Sequence, residues 1–168
     1  MTAFLARSIS TAKWKAKTNI AANEISADAV THDMRTIGNT LSFWLYDPAR
    51  EGSLEEAALA LASIRDNIQR LDLVWVDQKI VEQINLRVES TQGETPARHL
   101  KSNHRDVIGL DVTRLMALAQ NLANALINNQ TRRFTEKQIH TLLCNAAKNN
   151  LIAMDDLKSS VAEKIKCA

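Results

Sequence analysis

The sequence predicts a helix-rich α+β fold, with a small mixed sheet of two to three strands in the first half and a helical C-terminal half. Two observations lead to this class. Runs of aromatic and β-branched residues, which favour strands, lie at 41–46 and 71–76. From Asp111 onward, apolar residues recur at the three- and four-residue spacing of amphipathic helices.

Length and composition are those of one ordinary globular domain. The chain has 168 residues, 45% of them hydrophobic, and a net charge of +2, so a single core is expected. We divide it into an α+β part (1–89), a long loop (90–103) rich in small polar residues, and a helical part (104–168). The apolar runs are too short to span a bilayer. Two cysteines without a C-x-x-C motif favour a reducing, cytoplasmic location.

Three strands are predicted, at 2–10, 41–46 and 71–76. The segment between the last two has a helical apolar stripe from Leu54 to Leu71. We therefore expect a strand-helix-strand unit whose two strands lie side by side and parallel, with a right-handed crossover. The N-terminal strand is expected to add an antiparallel pair.

Capping residues predict where the helices begin. Ser53 with Glu56, and Thr135 with Gln138, each have the spacing of a capping box. The other predicted helices are a short one capped by Ser26 or Asp28 and ended before Gly38-Asn39, one over 78–84 capped by Asp77, one from 112 to 127 capped by Asp111, and a last one starting at Asp155 or Asp156.

The polar segment from Thr31 to Thr40 is a candidate site. His32 could act as an acid or base, Arg35 could hold an anion and Asn39 could donate hydrogen bonds. The long loop could bring His104 and Asp106 over them, giving an enzyme that acts on a phosphate-containing or nucleic-acid substrate. The alternative is a structural role for the whole segment.

Two details limit the chemistry of this segment and its loop. Neighbouring residues on a helix point apart, so His32 and Asp33 are not expected to form a dyad. The spacing of His99, His104 and Asp106 is too loose to indicate a metal site. We expect neither a metal nor a cofactor.

Basic residues offer a second kind of candidate surface. Lys13 and Lys15 flank Trp14, whose ring could stack on a base, and Arg132-Arg133 precede a predicted helix start that could hold a phosphate. The alternative is that Trp14 covers the rim of the core and the arginines are ordinary surface residues. Weak nucleic-acid binding is therefore the third functional hypothesis.

The leading hypothesis is binding of another macromolecule. The sequence has no P-loop, nucleophile elbow or metalloprotease motif. We therefore expect an accessory or regulatory protein that acts without catalysis, through a protein partner or self-association and without a membrane.

Overall fold

The computed structural model describes residues 3–14 and 24–166. They form an interleaved series of strands and helices along the chain. In order these are β1 (Phe4–Ile9), α1 (Thr11–Trp14), α2 (Ala27–Asp33), β2 (Thr40–Tyr46), α3 (Ser53–Ala62), β3 (Leu71–Asp77), α4 (Gln78–Gln83), β4 (Arg87–Ser90), β5 (His104–Ile108), α5 (Val112–Ile127), β6 (Thr131–Phe134), α6 (Glu136–Lys148) and α7 (Ser159–Lys166).

All the strands named above belong to one six-stranded sheet of order β4-β5-β2-β1-β3-β6. Every neighbouring pair is antiparallel. The predicted fold class is therefore wrong in three respects, although the mixture of helices and strands is present. The sheet is larger than two to three strands, its strands are spread along the chain, and the second half is not purely helical.

The predicted pairing of β2 with β3 is also wrong. β1 lies between them and pairs with both. Because β2 and β3 are each antiparallel to β1, they run in the same direction without touching as neighbours. The helix α3 therefore connects two strands across an inserted third strand.

The strands β5 and β6 were missed because their side chains are largely polar. Only Val107 of β5 and only Phe134 of β6 are buried. These strands form ladders with their neighbours without the apolar alternation on which strand prediction depends. Tertiary pairing, which a local pattern does not encode, creates them.

Helices pack on both faces of the sheet and define two hydrophobic clusters. On one face α3, α6 and α7 cover residues such as Leu73 and Phe134. On the other, α5 and the shorter helices α1, α2 and α4 cover residues such as Phe43 and Val74. The sheet is thus the middle of three layers, and most of its buried side chains belong to β1, β2 and β3.

Three predicted helix caps are confirmed. The carboxylate of Asp77 accepts from the backbone N–H of Lys79, and that of Asp111 accepts from the N–H of Arg114. Thr135 forms a capping box with Gln138. Caps act through neighbouring residues, which is why sequence locates them well.

The predicted capping box at Ser53 is wrong. The helix α3 is preceded by Gly52, which has a positive φ of 77°, and the Ser53 hydroxyl accepts from the N–H of Asp47 instead. Glu56 instead forms an ion pair with Arg50. This helix also ends at Ala62, well before the end of its predicted apolar stripe.

Two 3-10 helices occupy segments that were predicted differently. Arg98–Asn103 lies in the predicted long loop, and Met154–Asp156 precedes α7, whose start is later than expected. Among the described helices, none has the length and apolar character to cross a membrane.

Candidate functional site

The sheet opens between its two central strands. β1 pairs with β3 along six residues, but with β2 along only three, ending at Ala6 and Trp44. Continuing the register would pair Ser8 with Ser42, yet these residues are not paired. A gap therefore exists between β1 and β2, and hydrogen bonds between strands must be replaced there by other groups.

Arg7 fills this gap. Its guanidinium Nη1 donates to the carbonyl of Ser42 at 2.6 Å, while Nε and Nη2 donate to the carbonyl of Asp33 at 2.8 and 2.6 Å. Its Cζ also lies 5.8 Å from the centre of the Phe43 ring. One side chain thus ties together β1, β2 and the end of α2.

The charge of Arg7 is not neutralised by contact with an acid. None of the ion pairs formed within the described residues includes it. Burial lowers the pKa of Arg7 to about 10, although the more distant charge of Asp33 raises it. A guanidinium has five N–H groups, and three of them are used in the contacts above. Two remain for a further acceptor.

A cavity of about 430 Å³ lies over the gap, within the size range of small-molecule sites. We call it the cleft. Trp44 lines it but is only 4% exposed, and Gly93 packs so closely on this indole that a Cβ at position 93 would lie 2.5 Å from its Cη2 atom. The residues that line the cleft are Arg7, Ser8, Ser42, Trp44, Leu61, Ile64, Gln92, Glu94 and His104.

A chain of hydrogen bonds runs along one side of the cleft. The Ser42 hydroxyl donates to Asp106 Oδ1 at 3.0 Å, and the Thr91 hydroxyl donates to Asp106 Oδ2 at 3.0 Å. Thr91 Oγ1 lies 2.7 Å from Nδ1 of His104. Cross-strand pairing of Ser42 with Asp106, and of Trp44 with His104, sets this arrangement.

His104 is partly buried in the cleft. Its ring meets Trp44 edge to face, with 5.2 Å between ring centres. Burial lowers the pKa of His104, while Asp106 raises it and Arg105 lowers it. Burial therefore favours the neutral form of the imidazole.

A second cavity, of about 640 Å³, shares Ser8 with the cleft. Arg65 lies on its wall and donates to the Ser8 hydroxyl at 3.0 Å. Burial lowers the pKa of Arg65, against a raising effect of Asp72. Ser8, which follows Arg7 on β1, thus lines both cavities, and within the described ranges neither Arg7 nor Arg65 is paired with a carboxylate.

His32 and Asp33 line the larger cavity and touch each other, so the expectation that they point apart is wrong. His32 Nδ1 lies 2.7 Å from Asp33 Oδ1. Asp33 is the last residue of α2, where helical geometry no longer separates neighbours. Its Oδ2 accepts from the Ser10 amide and from the Trp14 indole N–H.

The sequence-predicted composite site is not assembled. His104 and Asp106 join Thr91 and Ser42 at the cleft, whereas His32 lines the other cavity. Arg35 and Asn39 are exposed and line neither cavity. Asn39 instead belongs to a tight turn, where its φ is 59°.

The predicted basic binding surface is likewise dispersed. Trp14 is only 3% exposed, which agrees with a packing role and leaves no face for a base. Arg132 and Arg133 point to opposite faces of β6, where they pair with Glu55 and Asp72. Lys13 lines the larger cavity. Lys15 lies outside the described residues.

Side chains that could bind a metal are the remaining kind of candidate site. Within 3–14 and 24–166, no cluster of three His, Cys, Asp or Glu could hold a metal. His140 and Cys144 touch at 3.7 Å on α6.

The most informative residue missed by sequence reasoning is Arg7. Its only signal is a charge in the middle of a largely apolar strand, FLARSI. Thr91 and Ser42 gave no signal, because their roles depend on which strands meet. Comparison of the chain with family models, with curated proteins and with solved structures gives no match.

Proposed function

We propose that the protein binds a small anionic ligand, a carboxylate or phosphate with an apolar portion, in the cleft between β1 and β2. The observation that carries this proposal is Arg7, a half-buried residue that lines the cleft and has no carboxylate partner among the residues that the structure describes. A buried charge without a counter-charge is costly. An anion placed against it would offset that cost.

Arg65 supports the same ligand class. It lines the neighbouring cavity, and within the described residues its side chain donates to Ser8 Oγ and to the Arg70 carbonyl, which leaves other N–H groups of its guanidinium for a ligand. Two arginines around a small hydroxyl can hold a carboxylate or phosphate by charge-assisted hydrogen bonds. Glu94, the acid that lines the cleft, is exposed, so its charge is well solvated.

The apolar residues of the cleft indicate the rest of the ligand. Leu61 and Ile64 line the cleft, and Ile64 is 45% exposed, whereas the Trp44 ring is covered by Gly93 and His104. An apolar group of a ligand can pack against these aliphatic side chains. We therefore use benzoate as the probe, because it combines a carboxylate with a flat ring.

The test is a calorimetric titration of benzoate, with benzamide as its neutral counterpart. We expect benzoate to bind and benzamide to bind more weakly. Arg65→Gln should lower benzoate affinity roughly tenfold, the size of one charge-assisted hydrogen bond. Arg132→Gln is the matched control, since it removes the same charge from the far edge of the sheet. Equal loss in both variants would count against the cleft.

A second candidate function, binding of a protein partner or a second copy of the chain, is favoured by a different observation. Ile37 and Val112 are 81% and 80% exposed. The segments that carry them are joined by a hydrogen bond from the amide of Leu110 to the carbonyl of Asn39. Light scattering on wild type and on Ile37→Ser tests it: a monomer at all concentrations that retains no partner counts against this function. The cytoplasmic location stays a prediction.

A further inference from the structure

The hydrogen-bond chain beside the cleft specifies which nitrogen of His104 carries a proton. A carboxylate only accepts hydrogen bonds, so the Thr91 hydroxyl must use its single hydrogen on Asp106. Thr91 Oγ1 can then only accept from His104, at 2.7 Å. The proton of the neutral ring is therefore on Nδ1, and Nε2 carries a lone pair.

The free nitrogen belongs to a ring that lines the cleft. His104 is a cleft residue, whereas Thr91, which holds Nδ1, is not. Among the residues that the structure describes, Nε2 has no hydrogen-bond partner. The edge-to-face contact with Trp44 fixes the plane of the ring. The cleft thus contains a fixed acceptor as well as the cationic Arg7.

We propose that His104 is a specificity-determining residue, whose Nε2 accepts a hydrogen bond from an O–H or N–H group carried by the anionic ligand. This inference rests on the proposed function and narrows its ligand class to anions that bear a donor, such as hydroxylated or amino-substituted carboxylates. Thr91 and Asp106 are positioning residues, because they act on the ligand only through the tautomer of His104.

The spacing of the two recognition groups is set by β2. Arg7 binds the carbonyl of Ser42, and His104 is the cross-strand partner of Trp44, two residues further along. Two residues of a strand span ~7 Å. A ligand with its anion and its donor at opposite ends of a ring therefore matches the site better than one with adjacent groups.

The first test is the tautomer, measured by long-range ¹⁵N–¹H NMR of the imidazole in the full chain. We expect the Nδ1–H form in the wild type. Thr91→Val removes the hydroxyl, so both tautomers of the His104 ring should be populated. Thr91→Ser keeps a hydroxyl and should retain the Nδ1–H form. An Nε2–H form in the wild type would overturn the inference.

The second test is the preference of the cleft for a donor. We expect 4-hydroxybenzoate to bind roughly tenfold more tightly than benzoate, the value of one good hydrogen bond. His104→Phe keeps an aromatic edge against Trp44 and should make the two affinities equal. Equal affinities in the wild type would overturn this inference and leave the anion site standing, whereas no binding of either probe to the cleft would overturn both.

Discussion

The cleft and the β3–β6 edge of the sheet both hold arginines, but they treat the charge in opposite ways. At the edge, Arg133 donates to both oxygens of Asp72, and the hydrogen bond to Asp72 raises the pKa of Arg133. In the cleft, the Arg7 side chain donates its hydrogen bonds to carbonyls and not to a carboxylate, and burial lowers its pKa to about 10. The charge of Arg133 is thus neutralised by Asp72, whereas we propose that the charge of Arg7 is neutralised by a bound anion.

This difference follows from which neighbouring strands of the sheet are fully paired. All four residues of β6 pair with β3, so Arg133 can reach an acid on the neighbouring strand. β1 and β2 separate after Ala6 and Trp44, and the guanidinium of Arg7 replaces their missing backbone contacts. The same residue therefore supports the fold and faces the cleft, and experiments must separate these roles.

Removing Arg7 is expected to have the largest effect on stability. Arg7→Met deletes three hydrogen bonds and leaves the carbonyls of Ser42 and Asp33 without that donor. We expect the free energy of unfolding to fall by about 2–4 kcal/mol in urea denaturation. Arg35→Met, at an exposed position, is the control and should change it by less than about 0.5 kcal/mol. A similar small change for Arg7→Met would mean that the strands do not need this bridge.

Adding a methyl group beside Trp44 is expected to have an intermediate effect on the stability of the fold. A Cβ at position 93 would lie 2.5 Å from Trp44 Cη2 and 2.9 Å from His104 Cβ. Gly93→Ala should therefore destabilise the fold by about 1–3 kcal/mol. Because phenylalanine lacks Cη2, the double variant Gly93→Ala, Trp44→Phe should lose less than the sum of the two single changes. If the free-energy changes of the two single variants simply add, the added Cβ does not clash with Trp44 Cη2.

The edge ion pair is expected to give the smallest effect, measured as the loss of stability when the pH is lowered into the acid range. The hydrogen bond from Arg133 is the main cause that lowers the pKa of Asp72, so the unfolded chain binds a proton at higher pH than the folded one. The resulting stabilisation is present above the unfolded pKa of about 3.9 and is lost as the pH falls through the folded value. Arg133→Gln should flatten this part of the stability curve. Arg132→Gln, which does not contact Asp72, should not.

Local features of the fold could be predicted from the sequence. The caps at Asp77, Asp111 and Thr135 depend on residues at most three positions apart, and each was found where expected. The strands β5 and β6 could not be predicted, because their charged side chains are accommodated by cross-strand partners distant in sequence. The position of β1 between β2 and β3 is similarly a property of the whole sheet.

The candidate site was predicted only in part. His104 and Asp106 were proposed as functional residues, and they do lie together beside the cleft. Their expected partners Arg35 and Asn39 are elsewhere. Arg7, which carries the proposed function, was not singled out, because a single arginine in a strand acquires meaning only once the neighbouring strand is seen to diverge.

The most direct test of the central claim is NMR of the arginine side-chain Nε–H groups during a benzoate titration of the wild-type protein. We expect the Nε–H signals of Arg7 and Arg65 to shift together and to saturate, while the signal of Arg133, already paired with Asp72, stays in place. Unchanged Arg7 and Arg65 signals at saturating benzoate, or shifts confined to Arg132 and Arg133, would contradict the assignment of the cleft as an anion site.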